Sequence, residues 1–139
     1  MTTQFSGTAE DADISRADSL AREIFSDVAN KWALLIIETL GDRTLRFSEL
    51  RKGLEGISHK MLTQNLRMME RNGLVERKVH ATVPPRVEYT LTEPGRALRA
   101  TVDLMCGWTQ QYLGHIEASR HRFDGGSVPD VRGVYGSGR

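Results

Sequence analysis

Apolar residues in this chain recur with two different periods, and the change from one to the other orders the reading. Between Ile57 and Leu74, ISHKMLTQNLRMMERNGL, the residues Leu62, Leu66 and Met69 stand at i, i+4, i+7, one stripe of a helix. Ser58 offers the side-chain oxygen of an N-cap, and Asn72-Gly73 offers the left-handed residue that ends helices. On a 3.6-residue wheel Lys60, Gln64, Arg67 and Arg71 point away from the stripe, with Glu70 beside them. Taken alone, such a face is an ordinary solvated surface. Its neighbours in the chain give it a second meaning.

Upstream, Leu20, Ile24, Phe25 and Val28 predict a short amphipathic helix from about Asp18 to Ala29, preceded by a polar, acidic arm. Asn30 can break or cap that helix. Lys31 to Leu40, KWALLIIETL, is apolar nearly all round and predicts a buried central helix. Trp32, Leu35, Ile36 and Leu40 would form its inner stripe, while Leu34 and Ile37 need a second partner surface. Leu45-Arg46-Phe47 is too short for more than an edge strand. Ser48, as cap, then opens a second short helix, SELRKGLEG, with Leu50 and Leu54 inward and Gly56 at its end. Two short helices joined by a glycine-containing turn are the arrangement of a helix-turn-helix. In that motif the second helix enters the major groove by its N-terminal residues, and the first braces it across the backbone.

Downstream the period becomes two. Val75, Arg77 and Val79 alternate with Glu76, Lys78 and His80; after Pro84-Pro85, the residues Val87, Tyr89 and Leu91 share one face. Two alternating runs about a proline turn predict a hairpin, with the prolines at its tip or on an edge. A last long helix is predicted from Thr92, its N-cap, through Pro94 in the first turn to about Ser119. Its apolar residues, Leu98, Val102, Met105, Trp108, Tyr112 and Ile116, cover more than a single stripe, so one side can pack at home while another seeks a partner chain. From Phe123 onward the chain is glycine-rich without periodicity, which predicts disorder. The expected organisation is a flexible arm over 1–17, one domain over 18–119 and a flexible tail over 120–139. The fold class is α+β, mostly helical: a winged helix-turn-helix with a two-stranded wing and flanking helices.

The net charge of +1 conceals an uneven distribution. Residues 1–29 carry Arg16 and Arg22 against Glu10, Asp11, Asp13, Asp18, Glu23 and Asp27, whereas residues 30–99 hold thirteen basic and eight acidic side chains. A basic middle suits a polyanion partner. The single cysteine, Cys106, excludes an intrachain disulfide framework and suits a reducing cytosol, and its ordinary role would be that of a small buried core or interface residue. No stretch approaches the ~18 apolar residues of a membrane span, and the polar, acidic start is not a secretory signal, so a cytoplasmic protein is expected. His59, His80, His115 and His121 show no metal spacing, and no catalytic constellation or phosphate loop accompanies them. Neither an enzyme nor a resident cofactor or metal is expected.

Several segments also resemble a known family. Lys31-Trp32 before an apolar helix, Arg46-Phe47-Ser48-Glu49-Leu50-Arg51, Gly56 through Gln64, Asn72 through Arg77, and the wing from Val83 to Thr92 are similar to the HxlR-type transcriptional regulators of bacteria. The similarity runs in unbroken order over about residues 18–112. It implies a homodimeric DNA-binding repressor or activator with dimer contacts from the terminal helices, where Leu20, Ile24, Met105, Trp108 and Tyr112 stand. Redox-sensing members carry a cysteine at the start of the first helix; here the corresponding residue is Ser19, whose hydroxyl forms neither thiolate nor disulfide.

Base contacts are expected from Ser58, His59, Lys60, Thr63, Gln64 and Arg67. Lys60 can reach guanine O6 or N7, Gln64 can pair with adenine, and the Thr63 methyl can meet thymine. Phosphate contacts are expected from Arg46 and Ser48 at the start of the bracing helix, and from Lys78, His80 and Arg86 on the wing. A crevice near Trp32, Trp108 and Tyr112 could take a small apolar effector, although core or dimer packing is the better account of aromatics there on ordinary burial grounds. The alternative to DNA binding is a winged-helix protein-interaction module, which would show an uncharged or apolar face in place of Lys60, Gln64 and Arg67.

Overall fold

Thr8 opens the first element of the computed structural model, which describes residues 8–126. The expectations for the arm at residues 1–7 and for the tail at residues 127–139 lie outside the described residues. The chain divides into two units, Met1–Arg99 and Ala100–Arg139.

Helix α1 spans Ala9–Val28, so it starts well before the expected Asp18, inside the segment read as a loose arm. The cause is a capping box: Thr8 Oγ1 accepts from the Asp11 N–H, and the Asp11 carboxylate accepts from the Thr8 N–H. Glu10 and Asp11 in the first turn also complement the helix dipole. Apart from Val28, which is buried, and Ile24, which is partly so, the apolar side of α1 is open: Ile14, Leu20 and Phe25 are all more than half exposed.

Asn30 ends α1 and starts α2 (Lys31–Leu40); its Oδ1 accepts from the Ala33 N–H at 2.8 Å while its Nδ2 donates to the Asp27 carbonyl at 3.0 Å. The buried side of α2 is Ala33, Ile36, Ile37 and Leu40. This corrects the expected stripe, because Leu35 is exposed and Trp32 only partly buried. Gly41, at φ 52°, turns the chain into β1 (Thr44–Arg46).

The bracing helix α3 runs Phe47–Gly53 with Arg46 as its N-cap residue, so Ser48 lies inside the first turn and is not the cap. Glu49 displaces it from that role: its Oε1 accepts the Arg46 N–H at 2.8 Å. Leu50 and Leu54 are buried as expected. Helix α4 spans His59–Arg71, starting at Ser58, whose Oγ accepts from the Met61 N–H at 3.0 Å, and giving way to Gly73 at φ 74°.

Strands β2 (Val75–His80) and β3 (Arg86–Leu91) form the hairpin, and β1 pairs with β3 on its other side. The sheet therefore has three strands in the order β1-β3-β2: the expected two-stranded wing, with β1, the short edge strand expected near Leu45, completing the sheet on the far side of β3. Leu62, Leu66 and Met69 of α4 join Ile36, Ile37 and Leu40 of α2, Leu50 of α3, and Val75, Tyr89 and Leu91 of the sheet in one core. Leu62 is fully buried, so its truncation to alanine should cost roughly 2–5 kcal/mol.

Helix α5 (Glu93–Gln111) starts at Thr92, whose Oγ1 accepts from the Gly95 N–H at 3.2 Å and donates to the Gly73 carbonyl at 2.6 Å. Its first turn is thereby tied to the end of α4. The expected single helix is two: the chain leaves helical geometry at Tyr112 (φ −107°, ψ 16°) and resumes as α6 (Leu113–His121), followed by one π-helical turn, Arg122–Gly126. Leu104, Met105, Trp108, Tyr112 and Leu113 are exposed along these helices, and Trp108 and Tyr112 lie ring to ring at 5.8 Å. Cys106 is exposed as well, so of the two expected places, core or interface, the core is excluded. Among the described residues no helix is long and apolar enough to cross a membrane.

Candidate nucleic-acid interface

Because Leu62, Leu66 and Met69 anchor α4 in the core, the opposite side of that helix is fixed in its outward direction. His59, Lys60, Gln64, Arg67 and Arg71 are exposed on it, with Ser58 exposed at the cap and Thr63 half-buried at the flank. Asn65, which is buried, turns inward and donates to the Met61 carbonyl at 2.9 Å, so it is spent on the helix itself. His59 is braced by Phe47, the first residue of α3, with ring centroids 4.8 Å apart. That contact joins the start of the bracing helix to the start of α4. Lys60, Gln64 and Arg67 make no hydrogen bond or ion pair with any described residue, so long donors stand ready at little cost in broken contacts.

The second group of candidates gathers around β3. Register places Arg46 on β1 and Lys78 on β2 opposite Glu88, and His80 opposite Arg86. The His80 ring Nε2 donates to Glu88 Oε1 at 2.6 Å, and Arg86 Nε lies 3.5 Å from Glu88 Oε2. The hydrogen bond from His80, together with the charges of Arg86 and Arg46, holds the Glu88 carboxyl below its ordinary value of 4.5. Glu88 was not among the residues expected here. The alternating hairpin pattern contained the signal, because pairing β2 with β3 about the Pro84-Pro85 turn sets this carboxylate among the cations, but only the register makes that visible.

At the tip, Thr82 Oγ1 donates to the Pro84 carbonyl at 2.8 Å, and the Val83–Pro84 peptide is cis. An open cleft of about 540 Å³ separates this tip from the start of α3 and is lined by Arg46, Phe47, Ser48 and residues 82–87. Arg46 and Ser48 thus share one concave surface with Arg86. The structure brings the recognition-helix candidates together on α4 and the phosphate candidates Arg46, Lys78, His80 and Arg86 together on the sheet, with Ser48 in the first turn of α3 lining the same cleft as the wing tip. Within the first unit, Leu20 is exposed and Ile24 half-buried; within the second, Met105, Trp108 and Tyr112 are exposed. Among the described residues no group of three His, Cys, Asp or Glu side chains is placed to hold a metal.

The comparisons with known proteins agree with this geometry. Residues 27–117 match the family model described as HxlR-like helix-turn-helix. An uncharacterized HTH-type transcriptional regulator of Methanothermobacter thermautotrophicus is 43% identical over 94 residues, 68% of this chain and 72% of that protein. Among solved structures, the putative transcriptional regulator ytfH from Salmonella typhimurium superposes with a TM-score of 0.64 at 38% identity, covering 73% of this chain and 91% of that one. The diamide-treated YodB of B. subtilis gives a TM-score of 0.59 at 41% identity over 66% of this chain and 90% of that one. All three are described as transcriptional regulators, the first as uncharacterized and the second as putative. With the anchored α4, its bracing helix and the three-stranded wing all in place across the matched residues, the chain belongs to the HxlR-like helix-turn-helix family of transcriptional regulators.

Proposed function

We propose that this protein is a homodimeric, sequence-specific regulator that binds an inverted-repeat operator in double-stranded DNA. The observation that carries the reading is the exposed face of α4, where Lys60, Gln64 and Arg67 stand without partners among the described residues on a helix anchored by Leu62, Leu66 and Met69. Ser58, His59, Lys60, Thr63, Gln64 and Arg67 read base edges and nearby phosphates in the major groove. Arg46, Ser48, Lys78, His80 and Arg86 hold the flanking backbone, and the rigid tip at Pro84-Pro85 limits the entropy lost on docking.

Exposed Leu20, Met105, Trp108 and Tyr112, with Ile24 beside them in sequence order, support a second copy as the partner of the terminal helices. Two-fold pairing would set two copies of α4 roughly 34 Å apart, one turn of duplex. The solved structures this chain resembles also include HypR, described as a redox regulator, at 36% identity. Ser19 stands in this chain where the resemblance places the sensing cysteine of such proteins, so thiol switching is absent at that position. Basic character on both α4 and the wing favours DNA over a protein-interaction module. A salt titration with duplex DNA tests this: affinity should fall by some orders of magnitude between ~50 and ~200 mM salt if each half neutralises several phosphates. An affinity independent of salt would refute it.

A further inference from the structure

Beside the exposed face of α4 lies a second, smaller cleft, which shares Thr63 and Arg67 with the expected base contacts and adds Glu70, Arg77 and Tyr89, which none of them uses. It encloses about 270 Å³ between α4 and the sheet and is lined by Thr63, Leu66, Arg67, Glu70, Arg77 and Tyr89. Alternation along β3 turns Tyr89 toward α4, and the register sets Arg77 of β2 directly across from it. The tyrosine is 9% exposed, yet its hydroxyl makes no hydrogen bond with any described residue. The oxygen itself is not among the buried atoms left without a partner, so it opens to solvent at the cleft and is free to donate to a ligand there.

The charges that act on this hydroxyl identify its surroundings. Burial pushes Tyr89 above its ordinary 10.0, Arg77 and Arg67 oppose that rise, and Glu70 adds to it. All three charged groups line the same cleft. Arg77 Nε keeps Glu70 Oε1 at 3.6 Å, which steadies the guanidinium and leaves its terminal nitrogens for another acceptor. Two guanidiniums against one carboxylate leave a net positive hollow, ringed by the hydroxyls of Thr63 and Tyr89. Its volume lies just under the roughly 300 Å³ at which sites for drug-sized ligands begin, so the occupant is small.

We propose that this cleft is an oxyanion site in which Arg67, Arg77 and the Tyr89 hydroxyl hold either a phosphate of the DNA backbone or a small free phosphate or carboxylate. The backbone phosphate deepens the function proposed above and rests on it; the free anion stands without it. Should both bind, they exclude one another, and a small anion would release the protein from DNA.

The test uses the full chain and inorganic phosphate. In the first arm, the arginine side-chain Nε–Hε resonances are followed by NMR during titration with sodium phosphate, against sodium chloride at equal ionic strength. Saturable shifts at Arg67 and Arg77 are expected, with binding weakened roughly ten- to a hundredfold in Tyr89→Phe, which removes one hydrogen bond to an anion. In the second arm, duplex DNA binding is measured across salt in a phosphate-free buffer for wild type and Arg77→Gln. A slope shallower by about 0.9 in the variant assigns the site to a DNA phosphate. An unchanged slope with saturable phosphate binding in the first arm assigns it to a free anion. Non-saturable shifts in the first arm together with identical slopes in the second overturn the proposal. If the protein binds no duplex but still takes phosphate saturably, the cleft stands and the DNA-binding function falls.

Discussion

Replacing Glu88 with glutamine should make this protein bind all duplex DNA more tightly and more salt-dependently. The side chain keeps its shape and its capacity to accept from His80, but loses the charge that now faces three cations, Arg86, Arg46 and Lys78, and the His80 ring. Arg86 lies 3.5 Å from the carboxylate, His80 is hydrogen-bonded to it, and Arg46 and Lys78 are its register partners on the two neighbouring strands. Any phosphate approaching these groups must compete with Glu88 in the wild type. If the substitution frees Arg86 alone for one added phosphate contact, the slope of log affinity against log salt steepens by about 0.9. At ~0.1 M salt that corresponds to roughly five- to tenfold tighter binding, and to an extra loss of about 3.5-fold between ~50 and ~200 mM. Because backbone contacts carry no sequence information, the gain should be equal on an operator fragment and on random duplex. Fluorescence anisotropy with both duplexes over a salt series reads it. Weaker binding by Glu88→Gln, or a gain confined to the operator, would refute the reasoning, since it would mean that Glu88 aims the wing cations instead of competing for them.

Lys60→Ala with Gln64→Ala should leave stability within about 0.5 kcal/mol, since both are exposed and unpaired among the described residues, yet cost on the order of 1–3 kcal/mol per lost base contact and relax specificity; operator and random duplex affinities separate the two. Gly95→Ala should destabilise by roughly 1–3 kcal/mol in urea unfolding, because a Cβ there would meet the Leu74 carbonyl oxygen at 2.1 Å, a backbone atom that cannot step aside cheaply. The depressed Glu88 carboxyl contributes stability that is fully present above about pH 4.5 and is lost as pH falls through its lower folded value, so wild type should lose more stability than Glu88→Gln between pH 5 and 3; parallel acid profiles would contradict that. Trp108→Glu, on the exposed face of α5, should shift sedimentation from dimer toward monomer without unfolding the chain.

The recognition helix was the most legible part of the sequence, because Ser58 and Gly73 mark its ends and a clean stripe marks its inner side. The hairpin was legible for a similar reason, since alternation and Pro84-Pro85 agree. Elsewhere the local pattern was silent or ambiguous. A helix as apolar as α2 does not state which of its sides faces the core, and the packing of α3, α4 and β3 chose Ile37 over Leu35. The start of α1 is set by one capping box ahead of acidic residues that carry little periodicity. The break at Tyr112 is invisible because the apolar spacing continues across it. At the candidate site, the side chains on α4 could be read from a wheel, whereas Glu88 among its cations and Tyr89 against Arg77 depend on strand register. Periodicity along one segment does not specify register between two.

Sedimentation of the protein with duplexes carrying a genomically captured inverted repeat addresses the central proposition most directly. Two protomers should bind each duplex together, and moving the half-sites apart by about half a helical turn, which puts them on opposite sides of the DNA, should abolish the joint binding. A single protomer per duplex, held equally well at either spacing and on random DNA, would contradict the account.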